Sequence, residues 1–241
     1  MSDESRHSPP PIGIHRTHPV ARRIIEKWRG LSKRTGGSGS GEPTLVACSG
    51  GVDSAALALA LASTGLEITL GFAEHDARPV HEVHRDRDVV RQLAAALGCG
   101  FVSKPCPTPP GSEPTEGLMR RVRYELLARI ARDLRIRVVA TGHHADDQLE
   151  TVLLSLIRGG GPGGMAGVAP ARAIDRNAPV VQLIRPMLQV TRAECEQLCL
   201  DAGLKPPGSD GPCWAEDATN TDTRHIRNRI RHTILPLLEA I

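Results

Sequence analysis

Two short segments of this chain concentrate groups able to handle a charged ligand. The first is Ser49-Gly50-Gly51-Val52-Asp53-Ser54. Adjacent glycines let a backbone approach a ligand closely and present several N–H groups together. A helix starting just after them adds its positive end, which makes an anion cradle. Ser49 and Ser54 bring hydroxyls. Asp53 is the odd member, because a carboxylate beside phosphates needs a cation, either a Mg²⁺ bridging the phosphates or the ammonium of a second substrate. The plain alternative is an Asp/Ser N-cap on an ordinary strand-to-helix turn. The lysine of a G-x-x-x-x-G-K-[ST] loop is absent, and so is a G-x-G-x-x-G dinucleotide turn. The second segment is Thr141-Gly-His-His-Ala-Asp-Asp-Gln-Leu-Glu-Thr151, where His143, Asp147 and Glu150 recur at helical spacing. Two carboxylates and an imidazole on one helix face can hold a metal or an ammonium. The alternative is a solvated first turn whose acids favour the helix dipole.

The elements around these segments alternate. Residues 44–48 read as a buried strand, followed by the glycine turn and an Ala/Leu-rich helix to about Ser63. Residues 67–73 predict a strand, 81–97 a helix, 101–102 a brief strand, and 105–114 a Pro-rich loop. A basic helix over 115–134, a strand over 136–140 and a helix over 144–158 follow. Residues 159–167 hold six glycines in nine positions, which suits a mobile connection near a substrate. Residues 180–184 are the last strand candidate, 191–202 a Thr-capped helix, and 223–240 a final helix. Short buried strands alternating with helices predict an α/β fold, a doubly wound parallel sheet with a small C-terminal helical segment. The catalytic domain is expected over 44–205, with 206–241 as its closing loop and helix. Residues 1–18 are expected to be disordered and 19–43 to be a short helix, ending at Gly30, plus a linker.

The net charge of the 241 residues is only +3, which does not demand a polyanionic partner. Its distribution says more: Arg120, Arg121 and Arg123 form one basic stretch, and Arg224 to His232 another. Aromatic residues number five, too few for a base-stacking platform. The six cysteines contain no C-x-x-C pair and read as reduced, packed thiols. No apolar run reaches membrane-spanning length and no signal-peptide core is seen, so the expected compartment is cytoplasmic, without membrane association.

Ser49 to Ser54 resembles the SGGxDS signature of the N-type ATP pyrophosphatases, the PP-loop family, which implies an adenine nucleotide alpha hydrolase-like domain that uses ATP. His143 to Thr151 is similar to the HHxxDDxxET motif of the tRNA(Ile)-lysidine synthetases. Glu116 to Tyr124, Arg158 to Gly164, Ile184 to Leu188, Trp214 to Asn220 and Arg227 to His232 resemble further motifs of that family, in the same order. The resemblance implies a ligase that adenylylates the C2 oxygen of the wobble cytidine of tRNA(Ile) and joins C2 to L-lysine. Ser49, Gly50, Gly51, Val52, Asp53 and Ser54 would then hold ATP, with Mg²⁺ on Asp53. Asp53, Asp147 and Glu150 would orient the ion or the amine, Arg120 would meet phosphate or substrate charge, and His143 would sit against the activated base. Arg123, Arg227, Asn228 and Arg231 would contact tRNA phosphates, the alternatives being a solvent-facing basic helix for Arg120 and Arg123 and a helix held by surface ion pairs for Arg227 to Arg231. Arg185-Pro186 and Trp214 read as structural. The family's DHGLR stretch appears as Glu74-His75-Asp76-Ala77-Arg78, which puts a tight glycine turn there in doubt. Relatives carry further C-terminal domains, so over these residues a smaller nucleic-acid surface, a partner or a homodimer is expected. A tRNA thiolase of the same superfamily and a noncatalytic nucleotide- or RNA-binding relative are the competing readings.

Overall fold

Side chains alternate faithfully along the central strands, and this alternation builds two cores. Leu45, Val139 and Leu183 face one layer, whereas Val46, Val138, Ala140 and Ile184 face the other. The computed structural model describes residues 12–36, 41–161, 163–175, 180–209, 213–215, 226–235 and 237, with Arg227 and His232 described by their backbone alone. Strands β1 (Thr44–Ala47), β2 (Ile68–His75), β3 (Gly100–Cys106), β4 (Val138–Thr141), β5 (Ala171–Ala173) and β6 (Gln182–Ile184) form one sheet in the order β3-β2-β1-β4-β6-β5. All pairings are parallel except β5 with β6.

The helices are α1 (Pro19–Arg34), α2 (Val52–Ala62), α3 (Val80–Leu97), α4 (Glu116–Asp133), α5 (Ala145–Ile157), α6 (Arg192–Asp201) and α7 (Ile226–Arg229). Residues of α1, α2, α3 and α6 share the larger core, and α4 covers the opposite face. Helix α2 is apolar all round because it lies between the sheet, α1 and α6; Ala55 to Leu61 are buried without a break. Among the described residues no helix is long and apolar enough to cross a membrane.

Four expectations need correction. Helix α1 runs through Gly30 to Arg34 and is part of the core: Val20, Ile24, Ile25, Trp28 and Leu31 are buried, and the Trp28 indole donates to Thr44 Oγ1 at 3.2 Å. The stretch expected to be disordered is in contact from Ile12 onward, where Ile12 and Ile14 pack on the core and the Gly13 N–H donates to Ala202 O; residues 1–11 lie outside the description. Strand β5 went unread, because a three-residue antiparallel edge strand has too little pattern to register. The final helix is described only from Ile226, and its second part, Ile230–Ile234, is wound as a π-helix.

Chain order β1-β2-β3 leads one way across the sheet, while β4 and β6 lie on the other side of β1. The reversal sits between β1 and β4, the place where open parallel sheets hold ligands at their carboxyl ends. Ala47 and Thr141 are register partners there. The loops leaving both strands must therefore meet.

Candidate active site

The loop after β1 turns on Gly50, whose φ of 91° lies in the left-handed region. A Cβ at Gly50 would come within 3.3 Å of Ala215 Cβ and 3.4 Å of Asp86 O, so the backbone is gripped on both sides. The Ala215 N–H donates to Gly50 O at 2.8 Å, which fixes the turn from the C-terminal segment. Ser54 staples the loop: its hydroxyl donates to Gly51 O at 2.9 Å and accepts from the Ser49 N–H at 3.3 Å. Its role visible here is to shape the cradle.

The turn after β4 packs directly on the start of α2. A Cβ at Gly142 would lie 3.0 Å from Asp53 C and O, tighter than nine in ten real Cβ contacts and against backbone, so glycine lets the two turns pack. This brings Asp53, at the second position of α2, beside the first turn of α5. Between them sits His144, 2% exposed. Its Nε2 is 3.5 Å from Asp53 Oδ2 and 3.6 Å from Asp147 Oδ2, and its Nδ1 is 3.1 Å from Asp146 Oδ2. Burial opposes a charged ring, but the Asp53 hydrogen bond and the charges of Asp147, Asp53 and Asp146 outweigh it and raise the pKa. Asp147 also accepts the His144 backbone N–H at 2.9 Å. Arg192 at the start of α6 reaches Asp53 Oδ2 at 3.5 Å and donates its backbone N–H to Asp146 at 2.8 Å. Asp53 Oδ1 is buried with no hydrogen-bond partner among the described residues.

His143 does not share a face with Asp147 and Glu150. It precedes α5, whose cap His144 is extended, so helical spacing does not apply to it. It turns instead to α4, where Arg120 Nη2 lies 3.0 Å from its Nε2. A guanidinium can only donate, so Nε2 accepts, and the ring proton on Nδ1 is given to Thr141 Oγ1 at 2.8 Å. Burial, then the charge of Arg120, lower the His143 pKa to about 3. His143 is a neutral imidazole at physiological pH.

Glu150 is 2% exposed and its Oε1 receives Arg231 Nε at 2.6 Å; Arg231 also approaches Asp147 Oδ1 at 3.8 Å. The charge of Glu150 raises the Arg231 pKa against the effect of burial. Arg231, expected on tRNA, thus neutralises one of the expected amine-orienting carboxylates. Asn228, expected on tRNA, is buried at 9%; the Arg227 side chain lies outside the described residues. Arg123 is also turned inward, its pKa lowered first by burial. The Asp76 that stands at a glycine position needs no left-handed turn, since Arg135 is the only described non-glycine residue with positive φ. Asp76 instead accepts the Thr108 N–H at 2.9 Å and hydroxyl at 2.7 Å, tying the end of β2 to the loop after β3.

His144 and Arg192 were missed. His144 had a legible signal, a cap-position histidine followed by Asp146 and Asp147. Arg192 had none, because only tertiary packing brings it to Asp53. The glycine loop contains a 3₁₀ turn over Gly164–Ala166 and is pinned at its far end: Gln148 Nε2 donates to Val168 O at 3.0 Å, and Arg185 Nη1 donates to Ala169 O at 2.5 Å. Among the described residues no group of three or more His, Cys, Asp or Glu side chains is placed to enclose a metal. Burial raises the thiols of Cys48, Cys99, Cys106, Cys195 and Cys199 above their ordinary value, which suits packed, unreactive cysteines.

Residues 26–238 match the family model of the PP-loop domain. Three proteins named tRNA(Ile)-lysidine synthase are similar to the chain. That of Dehalococcoides mccartyi is 36% identical over 90% of this chain and 46% of its own length; that of Rhodopirellula baltica is 35% identical over 92% and 58%. That of Thermus thermophilus is 37% identical over 82% and 36%. The chain thus spans about half the length of the curated relatives it matches. Among solved structures, the U34-tRNA thiolase NcsA of Methanococcus maripaludis with its [4Fe-4S] cluster superposes with TM-score 0.57 at 16% identity, over 91% of this chain and 81% of that one. An NMN synthetase of Francisella tularensis gives 0.52 at 14%, over 76% and 69%. At such identities the likeness speaks for the fold alone. The family match runs over most of the chain and includes the glycine-turned loop after β1, and on that ground the chain belongs to the PP-loop domain family.

Proposed function

We propose that this chain carries the ATP-dependent ligase activity that forms lysidine in tRNA(Ile). The observation that supports it most is the meeting of two loops: the amide-rich turn at Gly50 and Gly51 stands against Asp53, His144 and Asp147, with Gly142 in van der Waals contact between them. The relatives' names supply the substrate class. In the reaction, the C2 oxygen of the cytidine attacks the α-phosphorus of ATP and pyrophosphate leaves. The lysine ε-amine then bonds to C2, AMP departs with the oxygen, and the amine loses a proton.

The chain's own groups suit these steps. The cradle amides and the N-terminus of α2 bind phosphate. Asp53 Oδ1, buried and unpaired, fits a Mg²⁺ whose remaining ligands would be phosphate oxygens and water, and such an ion would offset charge on the phosphates. Asp147 is the carboxylate best placed to hold the ammonium and receive its proton, because Glu150 is already paired with Arg231. Neutral His143, held by Arg120, can lie against a base without adding charge, while Arg120 meets the negative charge that develops on the activated oxygen.

The test is incorporation of labelled L-lysine into a tRNA pool. Incorporation that requires ATP and is confined to tRNA(Ile) is expected. ATP-dependent sulfur transfer, or nucleotide binding without any turnover, would replace this reading with one of the two competing ones.

A further inference from the structure

Beside the crevice, under α4, Arg120 and Arg172 stand over one tyrosine ring, with the charges of Arg185 and Arg123 close by. Arg120 and Arg172 lie 5.5 and 5.0 Å from the centroid of the Tyr124 ring. Arg185, 3% exposed, acts on the Tyr124 hydroxyl through its charge, and Arg123 precedes Tyr124 on the same helix. Among the described residues, none of the four has a carboxylate within ion-pair distance; the largest charge effects on Arg185 are those of Tyr124, Arg120 and Arg172. The Nε–H groups of Arg123 and Arg185 find no acceptor among the described residues. Arg185 is buried and the other three are half-buried; Arg172 and Arg185 each give one N–H to backbone carbonyls, at Ala173 and Ala169. Like charges partly shielded from water, with N–H groups left over, are a cost that a bound anion removes.

That anion is not the nucleotide cradled after β1. Arg172 sits on β5, three strands from β1 across β4 and β6, which at a strand spacing of about 4.8 Å is roughly 14 Å. Arg172 pairs with Leu183, at the level of Val139 and Leu45, on the face that α4 covers. The cationic groups therefore run from Arg120, beside His143 in the crevice, through Arg185, to Arg172 at the edge of the sheet. A second phosphate, joined by a chain to a base resting at His143, has this path to lie on.

We propose that Arg172 and Arg185, with Arg120 and Arg123, form a site for a backbone phosphate of single-stranded RNA next to the nucleotide whose base enters the crevice. The proposal rests on the RNA-modifying reading above for the direction of the strand, and on the side-chain geometry for the phosphate. Guanidinium forks match phosphate oxygens, and their grouping around an aromatic ring keeps them pre-set.

The test compares the whole chain with its Arg172→Gln and Arg172→Lys variants, each checked by thermal melting against the parent. Three probes are titrated: a fluorescent single-stranded RNA decamer, ATP, and inorganic phosphate. With Arg172→Gln, RNA affinity is expected to fall about tenfold and the slope of log affinity against log salt to flatten by about 0.7, the loss of one single-strand phosphate contact. ATP affinity should hold, and Arg172→Lys should keep most of the slope. Should Arg172→Gln melt earlier than the parent, Arg123→Gln is measured instead, with the same expectation. A loss of ATP affinity with RNA unchanged would assign the arginines to the nucleotide. Unchanged binding of all probes, or equal loss of RNA and free phosphate with no change in slope, would overturn the proposal. Lysine incorporation by the parent is assayed separately: its absence alongside Arg172-dependent RNA binding would remove the lysidine reading and leave the phosphate site standing.

Discussion

His143 and His144 are neighbours in the chain, yet one faces Arg120 and the other faces Asp53, Asp146 and Asp147. The first belongs to a cationic wall built from α4 and the end of β6, the second to an acidic wall built from the starts of α2 and α5. Burial alone would push both imidazoles toward neutrality. The charges on either side decide otherwise: His143 goes down to about 3, and His144 goes up. The crevice is therefore polarised across a single peptide bond. One wall suits an amine and a metal ion, the other suits negative charge on oxygen and phosphate.

The sharpest way to break this division is to neutralise Asp53. Asp53→Asn keeps the side chain's size but removes the charge that His144 and Arg192 share. Turnover in lysine incorporation should fall on the order of 100-fold or more, as loss of a preorganised electrostatic group does, with the circular-dichroism spectrum unchanged. Near-parental turnover would deny Asp53 any part in the chemistry. On the opposite wall, Arg120→Gln leaves one neutral donor near His143. The expected loss is smaller, about 10- to 100-fold in kcat/KM, the range of one charged hydrogen bond. Equal losses from the two variants would mean that the walls act as one network.

Arg231→Ala probes whether the acidic wall depends on the C-terminal segment. It removes the guanidinium that pairs with Glu150, a carboxylate 2% exposed. The stability lost should be on the order of 3 kcal/mol in denaturant unfolding, and Glu150→Gln added to it should restore part of that loss. If instead RNA affinity falls while stability holds, Arg231 works on the nucleic acid and the inward pairing has no energetic weight.

Much of this was readable before any coordinates. Strand-helix alternation gave the layers, and the double glycine after a buried strand gave the cradle, because both rest on local pattern and on glycine's freedom at Gly50. The acidic wall was half legible: Asp53 and Asp147 were found, but His143 was placed with them. A residue just before a helix does not obey its periodicity, and only the extended cap at His144 shows which histidine turns inward. Arg231, Arg123 and Asn228 were read as nucleic-acid contacts from their places on basic helices, and nothing in one dimension shows that Arg231 pairs with Glu150 or that Asn228 is buried. Burial against Glu150 and beneath α4 is a tertiary fact. Arg172 and Arg192 carried no signal, since a two-fold edge pairing and a helix start bring them to their partners.

The last and smallest effect follows from the histidines' opposite shifts, measured without nucleotide or divalent cation. Unfolded, each ring titrates near its ordinary 6.5. Folded His143 binds its proton only near pH 3, so between 6.5 and 3 the unfolded chain holds the extra proton and stability falls as the pH is lowered. Folded His144 holds its proton above 6.5, so it contributes stability that is complete below 6.5 and is lost as pH rises through its raised folded value. Denaturant midpoints from pH 5 to pH 9 should therefore respond differently to two substitutions. His143→Asn should flatten the acid side and leave the alkaline side alone, while His144→Asn should flatten the alkaline side only. His75, lowered to about 4 chiefly by burial and then by Arg123, adds to the acid slope in both variants and so serves as the constant background. Identical profiles for the two variants would mean that the walls share one field, and the division across residues 143 and 144 would have no thermodynamic content.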